Sequence, residues 1–133
     1  FRATHEYWDA QGVRFYFHKK SVPGWTPTSI CSVRRNGTGE QTHFTHGELK
    51  LGHSMISRDG RFIVSDVQEP DHNPLVYIDL RFGTHKILCW PDSTVREGHA
   101  RQAHVHPCIS HSGKLVAYTS DKGGSPQVYV VPL

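Results

Sequence analysis

No run of apolar residues in this 133-residue chain approaches the length needed to span a membrane. The N-terminus carries no signal-peptide pattern, and the chain opens on Phe1 without an initiator methionine, as a processed product or a piece of something longer would. Cysteine is scarce: Cys31, Cys89 and Cys108 share no close spacing. The paired short spacings of zinc motifs are therefore missing, and buried free thiols in a reducing, cytoplasmic compartment are expected. Basic residues are nowhere dense. The net charge of +3 mildly favours an acidic partner. Lys19-Lys20 and Arg34-Arg35 are only pairs, and they read as solvated strand ends, with no patch for nucleic acid. Helical periodicity is missing too. With 36% apolar and 20% charged residues, the chain is nevertheless that of a folded domain.

What is present is a repeat. The apolar runs are short, β-branched or aromatic, and closed by Gly, Pro, Asn or Asp, which is the punctuation of strands. Strands are predicted near 4–8, 13–18, 28–34 and 40–45, then 53–57, 61–67, 74–80 and 85–90, then 103–109, 114–119 and 126–131. Gln11-Gly12, Asn36-Gly37, Asp59-Gly60, Phe82-Gly83 and Ser112-Gly113 supply the turns. His5, His53 and His106 each stand seven residues before a glycine, and those glycines, Gly12, Gly60 and Gly113, are 48 and 53 residues apart. Four antiparallel strands per unit of this length, repeated, describe the blades of an all-β propeller. A sandwich need not repeat such a register. The expected blades run over about 1–50, 51–99 and, incomplete, 100–133, so roughly two and three-quarter blades of a larger ring are in hand.

Histidine is the unusual residue, at 11 of 133. In a propeller the first strand of each blade lines the central channel, so His5, His53 and His106 are expected to converge near the axis. On a strand, residues two apart share a face, which groups Gln102, His104 and His106. Two imidazoles and an amide oxygen, joined by His53 from the neighbouring blade, make a divalent-metal site with open water positions. Such ligands suit Mn²⁺ or another first-row ion better than a closed structural zinc site. His18, His43, His46, His72, His85, His99 and His111 follow no shared register and read as surface or structural residues.

His5-Glu6-Tyr7-Trp8, His53 followed by Ser57-Arg58-Asp59-Gly60, and His104-Val105-His106-Pro107 leading to Ser112-Gly113-Lys114 and Thr119-Ser120-Asp121-Lys122 resemble the C-terminal blades of the oligogalacturonate lyases. These are seven-bladed propeller enzymes of pectin breakdown. The last segment also resembles the broader TolB-type repeat. The resemblance implies a Mn²⁺ ion held by His53, Gln102, His104 and His106, with His5 as the catalytic base and an arginine beside it from a position ahead of Phe1. In the family a glutamine stands three residues before the first histidine of the pair, where this chain has Arg101. A proline separates the two histidines, where this chain has Val105.

The reaction so implied is β-elimination on short oligogalacturonides. The metal stabilises the charge that develops on the uronate carboxylate, and a neutral histidine removes the adjacent proton. The expected partners are an acidic oligosaccharide and the remaining blades. Arg101 is a candidate for pairing with a substrate carboxylate, and Tyr7 and Trp8 read first as packing between blades. Two rivals stand beside this reading: a non-catalytic TolB-like module for protein contact, and another metal-dependent lyase or hydrolase on the same scaffold.

Overall fold

The computed structural model describes residues 1–69, 73–94 and 103–133. Among these there are eleven strands and no helix, and no helix long and apolar enough to cross a membrane. The first sheet holds β1 (Arg2–Trp8), β2 (Arg14–Lys20), β3 (Thr28–Arg34) and β4 (Gln41–His46) in that order. The second holds β5 (Leu51–Ile56), β6 (Phe62–Val67), β7 (Leu75–Asp79) and β8 (Thr84–Cys89). The third is three-stranded, with β9 (Cys108–Ile109), β10 (Leu115–Ser120) and β11 (Gln127–Pro132). All pairings are antiparallel between neighbours in sequence. Sheets built as repeated meanders and stacked face to face are propeller blades, as the repeat predicts.

The second sheet is covered on both faces, which explains its composition. Ile63, Val67, Val76 and Ile78 pack with Tyr16, Ile30 and Phe44 of the first sheet. Val64 and Leu75, of opposite parity, pack with Val105, Ile109, Val116 and Tyr118 of the third unit. Hence every residue of β6 after Phe62 is buried. Each fully buried aliphatic side chain contributes about 1.5–3 kcal/mol, so the two cores hold the stack together. The first strands of the units lie side by side, with β5 between β1 and β9.

The three register glycines close three near-identical hairpins. Gly12, Gly60 and Gly113 have φ of +66°, +72° and +70°. Their N–H groups donate to the carbonyls of Asp9, Ser57 and Ser110 at 3.1, 2.9 and 2.9 Å. Those three residues, each four after a register histidine, also cap the turn with their side chains. Asp9 accepts from the N–H of Val13 and Arg14, Ser57 from Arg61 and Phe62, and Ser110 from Leu115. A short polar side chain at that position is a turn signal that glycine alone does not convey.

Three expectations need correction. The strand predicted over 103–109 is reduced to Cys108–Ile109, because the residues before it bond elsewhere: the Val105 carbonyl accepts from Thr119 N–H at 2.8 Å, and His106 N–H goes to a carboxylate. The thiols are free, but only Cys31 is buried. Cys89 is half-buried and Cys108 exposed. Lys20 is not a solvated strand end. Alternation on β2 turns it inward with Tyr16 and His18, and it is 1% exposed. Its neighbour Lys19 points the other way and pairs with Glu40 at 3.0 Å.

Candidate metal centre

His53, His104 and His106 converge. One ring nitrogen from each lies within 4.8 Å of the others. The His53 and His106 rings stack with centroids 3.5 Å apart, and His104 stands 5.5 Å from His53 and 5.8 Å from His106. Metal–nitrogen bonds of about 2.1 Å keep the ligand atoms of one ion within about 4.2 Å of one another, and the three imidazoles stand near that spacing. Three converging imidazoles fit a divalent first-row metal. Gln102 and Arg101, the other predicted members, lie outside the described residues.

The convergence does not arise as strand parity suggests. Residues 103–107 are not a strand, and His106 has φ of +45°. His5 is also in the left-handed region, at +57°, within an irregularity of the β1–β2 pairing between Thr4 and Tyr7. A matching irregularity interrupts the β5–β6 pairing between Leu51 and Ser54, around His53. For a residue with a Cβ, such conformations cost of order 1–2 kcal/mol each. Each aims an imidazole out of the regular pleat.

Asp66 holds the arrangement, and the sequence reading did not single it out. It is 2% exposed. Its carboxylate accepts from the His53 N–H at 2.6 Å, the His53 Nδ1 at 2.9 Å and the His106 N–H at 3.2 Å. A carboxylate facing Nδ1 selects the tautomer protonated there, and so leaves the Nε2 lone pair for a metal. The carboxylate is admitted because residue 52 is glycine: a Cβ there would stand 2.1 Å from Asp66 Oδ1. The available signal was a lone acid in the apolar run Phe62–Val67, since a buried carboxylate needs partners.

His5 flanks the cluster on the other side of His53, with ring centroids 4.4 Å apart. Burial, then the charge of Lys20, then His53 lower its pKa to about 4, against the Asp66 carboxylate and the Gly52 backbone, which raise it. At neutral pH its imidazole is uncharged. Its Nδ1 stands 3.4 Å from the Thr4 hydroxyl, and an uncharged imidazole keeps a lone pair on one of its two nitrogens. Behind it lies His18, fully buried, at 5.5 Å between rings. His18 donates from Nδ1 to the Leu51 carbonyl at 3.1 Å and meets Ser54 Oγ at 2.7 Å, and burial lowers its pKa to about 3. Ser54 Oγ stands 3.2 Å from the Tyr7 hydroxyl, which ties β1 to β5. Tyr7 stacks on Tyr16 at 5.4 Å, whereas Trp8 is 52% exposed and packs against Phe15. Burial, with His53 next, lowers the His106 pKa as well.

No family model matches the chain. It is 27% identical to the oligogalacturonate lyase of Dickeya dadantii (strain 3937) over 142 residues, covering 96% of this chain and 36% of that protein. Among solved structures it superposes on an oligogalacturonate lyase in complex with manganese with a TM-score of 0.80 and 25% identity, over 98% of this chain and 35% of the other. The chain is related to the oligogalacturonate lyases. It spans about a third of the length of these lyases. The TolB of Acinetobacter baumannii shares the fold, with a TM-score of 0.72 and 18% identity over 97% of this chain and 29% of that one. TolB shows the propeller alone. The lyase likeness adds a relative whose structure holds manganese.

Proposed function

We propose that this chain supplies the metal centre and the catalytic base of a lyase that cleaves short oligogalacturonides by β-elimination. The observation that carries the reading is the convergence of His53, His104 and His106 with an uncharged His5 beside them. The relatives named oligogalacturonate lyase, one of them a manganese complex, support the substrate class and the ion.

His53, His104 and His106 would hold the metal, with Gln102 as the fourth ligand. When bound, Mn²⁺ supplies a positive charge for the uronate carboxylate and for the enolate-like charge that builds on it. The proton to be removed lies on the carbon next to that carboxylate. His5 accepts it, the electron pair moves to form the new carbon–carbon double bond, and the glycosidic oxygen departs from the neighbouring carbon. Arg101 is proposed as a partner for a substrate carboxylate.

The test is to add Mn²⁺ and digalacturonate to the intact protein and follow the ultraviolet absorbance of the unsaturated product. Product is expected with wild type, and a loss of at least about 100-fold in rate with His5→Ala, the lower range for a general base. His104→Ala is expected to lose both bound metal and activity. No product from wild type, or rates untouched by both substitutions, would sink the lyase reading.

A further inference from the structure

The Lys20 ammonium has no acceptor. Among the described residues its Nζ is the buried side-chain nitrogen or oxygen that lacks a hydrogen-bond partner. It ends β2 on the face that carries Tyr16 and His18, opposite Arg2 on β1. Its charge acts on His5 and His18, and the Asp66 carboxylate acts on it in turn. Yet Asp66 gives its oxygens to His53 and His106. What touches the ammonium is the Trp25 indole, with the ring centroid 4.9 Å from Nζ. A cation over an aromatic face recovers part of the cost of leaving water, never that of a missing acceptor.

The surroundings say what kind of acceptor is missing. Among the described residues Asp66 is the buried carboxylate, and it already serves two histidines. Lys20 shares the inward face of β2 with His18, which lies 5.5 Å from His5; with a divalent ion at the cluster the positive charge exceeds that one carboxylate, a condition that an anionic ligand relieves. The way in also carries positive charge. Trp25 is 42% exposed on the loop after β2, and the Arg2 guanidinium lies 5.6 Å from the same indole.

We infer that Lys20 is a carboxylate-binding residue of this site, its ammonium reached by displacing the Trp25 indole and paired there with a carboxylate of an acidic sugar. This rests on the lyase reading and extends it: the carboxylate drawn by an ion at His53, His104 and His106 also takes the Lys20 ammonium, beside His5. It is a residue for recognition, distinct from the base.

Galacturonate is the probe, because it has no glycosidic bond to break, and galactose is its neutral control. Calorimetric titration of the intact, Mn²⁺-loaded protein should show preference for galacturonate. Lys20→Met should weaken galacturonate binding roughly 10- to 100-fold, the contribution of a hydrogen bond to a charged group. Its Tm should hold or rise, because an unpaired buried charge has been removed. Lys20→Gln, which keeps length and polarity without charge, should lose the same affinity. If wild type shows no preference for galacturonate, the acidic-sugar reading falls and takes the Lys20 inference with it. If wild type prefers galacturonate and both variants keep that preference, the Lys20 inference alone is overturned. A Tm lowered by about 3 °C or more with affinity unchanged also overturns it, since Lys20 would then be a structural cation.

Discussion

The inner strands have two ends, and the repeat is kept at one and broken at the other. At the turn end, three glycines adopt the same conformation, make the same hydrogen bond and are capped by a side chain at the same position. At the histidine end, seven residues away, the three units differ. β1 is irregular at a strained His5, β5 is irregular around His53, and the third unit has no strand at His104 or His106. A turn answers only to the fold, so one solution serves every blade. A site built from several blades needs each imidazole aimed differently, and so each unit departs from the pleat in its own way.

Acid should separate the two ends most strongly. His18 is fully buried beside the cluster, and its pKa falls from 6.5 to about 3. The unfolded chain therefore binds a proton that the folded one refuses. Stability is intact above about pH 6.5 and is lost as pH falls toward about 3, by up to about 5 kcal/mol from this group. Urea unfolding measured between pH 7 and pH 4 should show the decline, and His18→Gln should flatten it. An unchanged slope in that variant would move the acid sensitivity elsewhere.

Gly52→Ala comes next. The new Cβ would meet Asp66 Oδ1 at 2.1 Å and Gln68 Cγ at 2.7 Å. Overpacking of this kind should cost about 3 kcal/mol in urea unfolding and displace the carboxylate that orients His53.

Asp66→Asn is smaller and more selective. Its amide must turn an NH₂ toward His53 Nδ1 or give up the backbone N–H groups. The wrong tautomer of His53 should then weaken Mn²⁺ binding about 10- to 100-fold, as read by the paramagnetic resonance of free Mn²⁺ during titration. Equal affinity in wild type and variant would show that the carboxylate does not orient the ligand.

Gly60→Ala sets the floor. Nothing lies within 4 Å of its added Cβ, and only the +72° φ opposes it. About 1 kcal/mol of stability should be lost, with Mn²⁺ affinity unchanged. A large loss of metal binding would mean the two ends are not independent.

The legibility of the sequence follows the same division. Strand positions were readable, because β-branched runs between turn residues have few other folds open to them; β3 at Thr28–Arg34 matches the expectation residue for residue. Residues 103–107 misled. Ala103 and Val105 are buried while His104 and His106 are not, an alternation that imitates a strand although the backbone pairs otherwise. The histidine register pointed to convergence, but not to the strain and bulges that produce it. Asp66 was hidden because β6 is covered on both faces, so no alternation distinguishes its positions. Lys20 was hidden for the opposite reason. The pair Lys19-Lys20 looks like one solvated end, yet the period of two sends its members to opposite faces.

The Asp66 carboxylate has one more consequence. It gathers donors from β5 and from the segment ahead of β9, groups 53 residues apart in the chain. The imidazoles therefore meet only once the third unit has docked on the second. An ion that binds the assembled histidines and not the separated ones is linked by mass action to that docking, worth about 2.7 kcal/mol at one hundred times its dissociation constant. The histidine cluster is thus also a clasp between the second and third units, and an ion bound there would add to what holds them together.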